Sequence, residues 1–384
     1  MGADEGIVFV VNPAGGGGRA LAAWDALRAK VLTPLPRNWR VRPTRGPGDG
    51  EVLARSAVVD GTGRGPATLV VACGGDGTIN EVVNGLFVPG GSKTRSRNAH
   101  PGADPRMPAL GIVPLGTGSD FIRSLGWDEG PGRRDCAESA LARLGCVAEA
   151  HRSAKGTTLP RKAGCRKLDV GRVTYTRLNG KGSETRLFLN MASVGLSGEC
   201  LAEKEAGWLP GFIPGALAYQ VYALVGILKH RNRALRYRLD GAQQWTEAPA
   251  ATLAVVANGQ YFGGGMRIAP RARCDNGKLS LSLLRGFGAP SFVNPVNQRR
   301  LYAGDFSALR SNIDEVPTLR TLEIEHTPDD LKAEPGRPDP FWWKIVGPSR
   351  RQDPHTFTVE VDGEVVGRLP ARFEVLPSAI DFRG

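Results

Sequence analysis

The sequence predicts two lobes: an α/β lobe built on a parallel sheet, followed by an antiparallel β lobe. Three observations carry this reading. Three glycine-rich turns in the first third of the chain each follow a short apolar run and precede a helical pattern. From about residue 160 onward, short Val/Leu/Ile-rich runs are bounded by Gly and Asn turns instead. A chain of 384 residues also has room for two or three domains and ample core.

The first unit of the pattern is Ile7-Val8-Phe9-Val10-Val11, a β-rich run, entering Asn12-Pro13-Ala14-Gly15-Gly16-Gly17-Gly18-Arg19. Leu21, Trp24 and Leu27 follow at near-helical spacing. The second unit is the most informative. Thr68 to Ala72 reads as a buried strand, and Gly74-Gly75-Asp76-Gly77-Thr78 is the turn. Ile79, Val82, Val83 and Leu86 then recur as one face of a helix. The third runs from Leu110-Gly111-Ile112-Val113 into Pro114-Leu115-Gly116-Thr117-Gly118-Ser119-Asp120-Phe121. A single glycine turn is as readily an ordinary tight turn as a phosphate cradle. Three that close strands and open helices would converge on the carboxyl edge of one sheet, where open α/β folds bind ligands. Backbone N–H groups and helix N-termini suit a phosphate there. Asp76 suits a phosphate arriving as a magnesium complex, or a proton transfer.

Other nucleotide classes do not fit. No stretch matches Gly-x-x-x-x-Gly-Lys-Ser/Thr. No acidic residue stands out about 20 positions beyond Gly15–Gly18 as a dinucleotide site requires. Neither His-Arg-Asp nor Asp-Phe-Gly occurs.

Lys plus Arg total 50 and Asp plus Glu 38, for a net charge of +12. That points to an anionic partner, nucleic acid or an acidic membrane. No dense Lys/Arg stripe with interleaved aromatics appears, which argues against nucleic acid. The six cysteines form no Cys-x-x-Cys pair and no zinc spacing, and no signal peptide is recognisable, so reduced thiols in a cytoplasmic protein are expected. Cys73 abuts the second glycine turn and reads either as reactive or as a buried structural thiol.

In the second half, Thr252 to Ala257 and Leu279 to Leu284 are the clearest strands. Residues 88–108, 128–135 and 333–354 read as loops. Trp208 to Pro214 leads into a helical stretch in which Leu217, Val221, Leu224, Val225 and Leu228 form a stripe closed by Lys229, His230, Arg231 and Arg233. The stretch is too short and too interrupted to span a membrane. Two readings stay open: a helix packed on the β lobe, or one wall of a lipid-access cleft. Phe341-Trp342-Trp343-Lys344 is likewise core filling or an interfacial anchor.

The ordered set of Asn12-Pro13, Gly74-Gly75-Asp76-Gly77-Thr78 with Asn80-Glu81-Val82-Val83-Asn84-Gly85, and Pro114-Leu115-Gly116-Thr117-Gly118-Ser119-Asp120 resembles the diacylglycerol kinase catalytic domain. The resemblance extends through Lys167-Leu168-Asp169-Val170-Gly171, Phe188 to Gly195, Asn258-Gly259, Gly263 to Gly265, Ile268 to Ala272, Val361-Asp362-Gly363-Glu364 and Leu369-Pro370. It thus covers about residues 7 to 380. The Gly-Gly-Asp-Gly-Thr turn alone is shared with NAD kinases and phosphofructokinases; the ordered set is far more specific.

The resemblance implies an ATP-binding α/β domain over residues 1–135, a β-sandwich lipid-substrate domain over 160–368, and a C-terminal segment, 369–384, that returns to the first. It implies a lipid kinase using ATP and Mg²⁺ on the hydroxyl of a membrane lipid, diacylglycerol or sphingoid-like. The protein would be cytoplasmic and peripherally associated with an anionic membrane surface, with a homodimer left open. Asn12, Gly15, Gly16, Gly17, Thr44, Gly74, Gly75, Gly77, Thr78, Gly116, Thr117, Gly118 and Glu364 would contact the nucleotide. Asp76 would engage the phosphate–magnesium network and Asp362 would be the base facing the lipid hydroxyl, although the two roles can swap. Asp169 would meet the lipid headgroup. Asp120 is either part of the site or a carboxylate capping the helix opened by Phe121.

Two departures from the family pattern stand out. Ser119 replaces a frequent Asn. At Cys274-Asp275-Asn276-Gly277 the family's metal-linked Asp is Asn276, so an auxiliary magnesium would depend on Asp275. Two other readings remain, a non-catalytic lipid-binding regulatory relative and a soluble-metabolite kinase of the NAD-kinase type. Asn substitutions of Asp76 and Asp362 are expected to leave the fold intact, because they are nearly isosteric.

Overall fold

The computed structural model describes residues 6–31, 38–58, 67–87, 107–127, 133–146, 164–209, 215–328 and 357–384. Phe212, Phe341 to Lys344 and most of the three loop segments lie outside them, as does the side chain of Leu217. The chain divides into two compact units, residues 1–170 with 376–384, and residues 171–375.

The first unit contains a parallel sheet. Strands β1 (Ile7–Val11), β2 (Trp39–Pro43), β3 (Leu69–Gly74) and β4 (Ala109–Pro114) pair in the order β2-β1-β3-β4. Phe382 adds a parallel pairing to Leu110 on the far side of β4. β1, β3 and β4 are buried along their whole length, which is why they read as unbroken apolar runs rather than as alternating ones. One face packs Phe9, Val11, Leu69 and Val71 against Trp24 and Leu27 of α2 (Ala20–Val31) and Leu141 of α6 (Arg133–Arg143). The rings of Phe9 and Trp24 lie 5.3 Å apart.

Helices α3 (Asp49–Val58) and α4 (Asp76–Leu86) touch each other closely. At Gly85 a Cβ would sit 2.3 Å from the Glu51 carbonyl oxygen, so only glycine permits this crossing. The short helix α5 (Asp120–Ser124) follows β4.

The second unit is antiparallel. It contains most of β5 (Cys165–Arg177), then β6 (Ser183–Phe188), β7 (Met191–Gly195), β8 (Arg233–Leu239), β9 (Thr246–Ala257), β10 (Leu279–Arg285), β11 (Ile313–Leu319), β12 (Thr321–His326) and β13 (Thr358–Val361). The last strand, β14 (Glu364–Arg383), belongs to this unit up to Val375. Two long strands serve two layers. β9 pairs with β8 through its first half and with β7 and β10 through its second. β14 pairs with β13 at Glu364–Arg368 and with β12 at Ala371–Glu374. Because β8 pairs with β12 and β7 with β13, the ladder closes through β9, β7, β13, β14, β12 and β8. Val194, Val256, Leu281, Leu322, Val359 and Phe373 fill its interior.

A second core, with Leu253, Val255, Leu284 and Phe287, lies on the other face, against α7 (Leu196–Ala206), α8 (Gly215–Lys229) and α10 (Pro295–Ala303); α9 (Ala289–Val293) precedes α10. Here the structure differs from the stripe that the sequence suggested. α8 seats Gly226 against the Cys200 backbone, where a Cβ would stand 2.8 Å away, and buries Tyr222. Val221, Val225 and Leu228 are only half-buried, and Leu224 is 41% exposed. The helix packs through Tyr222, Ala223, Gly226 and Ile227, and turns Leu224 outward.

Candidate active site

The three glycine turns meet at the carboxyl edge of the parallel sheet. The first turn, α1 (Gly15–Gly18), is a tight coil in which Gly16 and Gly17 have φ of 61° and 72°. A Cβ on Gly16 would stand 2.8 Å from the Leu115 carbonyl oxygen, so the first turn rests on the third. The second and third turns touch backbone to backbone: a Cβ on Gly116 would lie 2.2 Å from the Cα of Gly75. The Leu115 and Gly116 amides both donate to the Gly74 carbonyl, at 2.9 and 3.1 Å.

Side chains complete the junction. Asn12, just past β1, donates through Nδ2 to Thr78 Oγ1 at 3.0 Å and accepts the Ala14 amide on Oδ1 at 3.0 Å. Thr78 is 5% exposed and stands over Gly74, where a Cβ would be 2.4 Å from Oγ1. Thr44, just past β2, donates its amide to the Val11 carbonyl at 2.8 Å. The structure therefore brings Asn12, Gly15, Gly16, Gly74, Gly75, Thr78 and Gly116 together, with Thr44 bound to the end of β1. Gly17 is exposed, and Gly77 and Thr117 belong to the same turns.

Asp76 opens α4, and its carboxylate reaches across to α5. Oδ2 accepts the Asp120 amide at 3.2 Å and Oδ1 accepts the Phe121 amide at 3.3 Å. Gly118 is kept bare by this contact, because a Cβ would meet Asp76 Oδ2 at 3.1 Å. The carboxylate at the start of α5 is thus that of Asp76. The Asp120 side chain instead pairs with Arg123 at 2.8 Å. Ser119 makes no capping bond and has φ of 56°, a left-handed conformation in which Asn is enriched. That backbone requirement, rather than a hydrogen bond, would suit Asn at this position as well as Ser.

Helix N-termini at this edge are not equally open. Asp76 occupies two amides of α5. Glu81 of α4 occupies the amides of Gly48 and Gly50 at the start of α3, at 2.7 and 2.9 Å. The N-cap of α4 is Gly75, which has no side chain to fold back over the helix start. The Gly74–Thr78 turn suits a phosphate, because glycines leave its backbone accessible at the positive end of the α4 dipole. Cys73, next to that turn, is wholly buried, and burial pushes its thiol well up, so it is a structural thiol.

Asp169 is 1% exposed, and its carboxylate accepts the Ser378 amide at 2.7 Å. It thereby ties the C-terminal stretch to β5. The ring of Phe382, in the same stretch, lies 5.5 Å from that of Trp127, tilted by 39°.

In the second unit, Asp362 sits at the β13–β14 turn with φ of 45°, 8% exposed. Its carboxylate accepts three consecutive backbone amides: Leu189 at 2.9 Å, Asn190 at 3.2 Å and Met191 at 2.8 Å. Glu364 of the same turn is the more accessible carboxylate, half-buried and paired with Arg186 at 3.2 Å. Asp275 pairs with Arg273 at 3.2 Å, and Asn276 turns its oxygen to the Lys278 amide at 3.0 Å. No cluster of three or more His, Cys, Asp or Glu poised for a metal occurs among the described residues.

Glu360 escaped the sequence reading. It is 2% exposed, bonded to Ser193 Oγ, and accepts the Gly363 amide at 2.6 Å; Ser197 extends the chain from Ser193. The only sequence signal was an acidic residue at an inward position of a strand. Burial pushes its carboxyl up to about 7. The folded state then holds a proton that the unfolded chain releases near pH 4.5. Its stabilisation is complete below that pH and is lost as pH rises to about 7. Glu360→Gln, which mimics the protonated acid, is expected to remove this slope. Between pH 4.5 and 7.5, wild type should lose up to about 3 kcal/mol more than the variant in denaturant unfolding. Parallel pH profiles for the two proteins would rule this out.

Residues 6–146 match the diacylglycerol kinase catalytic domain, and residues 193–334 match the YegS C-terminal NAD kinase beta sandwich-like domain. The first lobe carries the catalytic domain of the diacylglycerol kinase superfamily. Among relatives, a probable lipid kinase YegS-like from Chromohalobacter salexigens is 34% identical over 248 residues, covering 64% of this chain and 62% of the relative. The chain thus aligns with just under two thirds of that protein's length. A probable lipid kinase YegS-like from Klebsiella pneumoniae (strain 342) is 28% identical over 315 residues, covering 82% and 77%. A diacylglycerol kinase structure from Bacillus anthracis str. Sterne shares the fold, with a TM-score of 0.56, 19% identity and coverage of 99% and 96%. Another structure from that organism aligns at 0.61, with 20% identity and coverage of 100% and 96%. Both expected domains of this superfamily, the catalytic lobe and the β-sandwich, are therefore present.

Proposed function

We propose that the chain is a lipid kinase that transfers the γ-phosphoryl group of ATP to the hydroxyl of a membrane lipid, with Mg²⁺ as cofactor. The observation that carries this reading is the meeting of three glycine turns around Asp76 in a catalytic domain of this superfamily. The backbone amides of the Gly74–Thr78 turn, at the N-terminus of α4, receive phosphate oxygens. Gly15 to Gly17 and Gly116 to Gly118 close around them, and Thr78 adds a hydroxyl. Asn12 and Thr44 mark the adenosine side of the site.

Bound magnesium supplies charge neutralisation on the phosphates. Asp76 fits as its ligand: it is a hard carboxylate set where the second and third glycine turns meet, beside the phosphate turn. Asp275 fits poorly, since the Arg273 cation already sits against its carboxylate. In the second unit, Asp362 shapes the Leu189–Met191 turn and is the carboxylate that would draw the proton from the lipid hydroxyl. A lipid panel with labelled ATP, read by chromatography of the products, tests the proposal. Label in a lipid product with Mg²⁺ present supports it. Phosphorylation of NAD with no lipid product overturns it in favour of a soluble-metabolite kinase; no ATP use at all points to a non-catalytic lipid-binding relative.

The reading includes peripheral attachment to an anionic membrane. Among the described residues, no helix is long and apolar enough to cross one. Trp208 is 49% exposed, set edge-on to Tyr222 at 5.3 Å, and Leu224 of α8 is exposed. With the net charge of +12, these offer shallow insertion plus electrostatic attraction. Binding to anionic vesicles is expected to exceed binding to neutral ones and to weaken with salt. Trp208→Ala with Leu224→Ala is expected to lower activity on vesicle-embedded lipid several-fold more than on a short-chain soluble analogue. Equal losses on both substrates would make this surface mere packing.

A further inference from the structure

We propose that Glu81 is a positioning residue for the nucleotide, holding the Thr44–Gly50 loop in the shape that receives ATP. The inference rests on the ATP-binding reading above and adds a residue to it. Glu81 is 8% exposed, and its two carboxylate oxygens are spent on the two amides at 2.7 and 2.9 Å, Gly48 and Gly50. The fit is close: a Cβ on Gly50 would lie 2.6 Å from Oε2.

The loop has little else to hold it. Arg45, Gly46, Pro47 and Gly48 are exposed, and Gly48 has φ of 82°. Asp49 closes the loop on itself by accepting the Arg45 amide at 2.8 Å. Thr44 anchors its start to Val11, beside the Asn12–Thr78 bond. Its other end is anchored by Glu81. That residue stands on α4, five positions after Asp76, so the helix whose N-terminus opens the phosphate turn also fixes this loop. A loop without packing of its own loses conformational freedom on binding, and a buried carboxylate that orders it beforehand removes that cost from the nucleotide. An uncharged amide at position 81 would turn a donor toward one of the two amides and release that end.

The test compares wild type, Glu81→Gln and Gly50→Ala in the full chain. It measures ATP affinity by calorimetry, KM for ATP and for lipid, kcat and Tm. For Glu81→Gln, Kd and KM for ATP are expected to rise at least about 10-fold, with kcat at saturating ATP within about 3-fold and KM for lipid unchanged. Gly50→Ala, which displaces the carboxylate without burying a new polar group, should move the same parameters in the same direction, and decides the matter if Glu81→Gln does not fold. A lowered Tm with unchanged ATP affinity would overturn the inference, leaving Glu81 as a helix cap alone. Failure of wild type to bind ATP would instead overturn the kinase reading, before either variant is compared.

Discussion

Asp76→Asn is expected to lower turnover by at least about 100-fold, the scale for a lost metal-organising or proton-handling carboxylate. The chain should stay folded. Asn keeps the shape and one oxygen acceptor, so the Asp120 and Phe121 amides lose part of a pair that is already long, at 3.2 and 3.3 Å. The structural cost is about 1 kcal/mol for the weakened bond, with up to about 1 kcal/mol more for the charge removed from two helix N-termini. What disappears entirely is the negative charge where the second and third glycine turns meet. Steady-state kinetics on the lipid product, with Tm measured on the same preparation, separates the two effects. Near-normal turnover would remove Asp76 from the chemistry and leave it as the tie between α4 and α5.

Asp362→Asn is expected to cost at least about 100-fold in turnover and, unlike the first substitution, to weaken the fold as well. Isosteric shape suggests a harmless change; the structure corrects this. The backbone poses no obstacle, since Asn tolerates the φ of 45° as readily as Asp. Polarity does. Three amide donors converge on the two oxygens, and an amide side chain must present its NH₂ group to at least one of them. Leaving a buried donor unpaired costs about 1–3 kcal/mol. The Leu189–Met191 turn should loosen, and Tm should fall by several degrees. Turnover is to be read at a temperature where circular dichroism shows the variant folded. Full activity there would exclude Asp362 from catalysis, and an unchanged Tm would contradict the three-amide account.

The sequence by itself determined the parallel sheet, the turns and the order of the lobes. β1, β3 and β4 are buried on both faces, so their apolar runs are uninterrupted and easily read. The Gly74–Thr78 turn and α4 are encoded locally, by glycines and by the spacing of Ile79, Val82, Val83 and Leu86. Only the tertiary structure decided what the carboxylates hold. Asp76 reaches amides 44 and 45 residues away, Glu81 reaches 31 and 33 residues back, and Asp362 reaches more than 170. Glu360 and Ser193 lie 167 residues apart in sequence. Hydropathy periodicity says which face of an element turns inward, but a buried carboxylate is satisfied by whichever amides the fold brings within about 3 Å. The same limit explains α8. Its aliphatic stripe is plain in the sequence, yet the helix docks through Gly226, because close backbone approach to Cys200 depends on the partner surface and not on hydropathy.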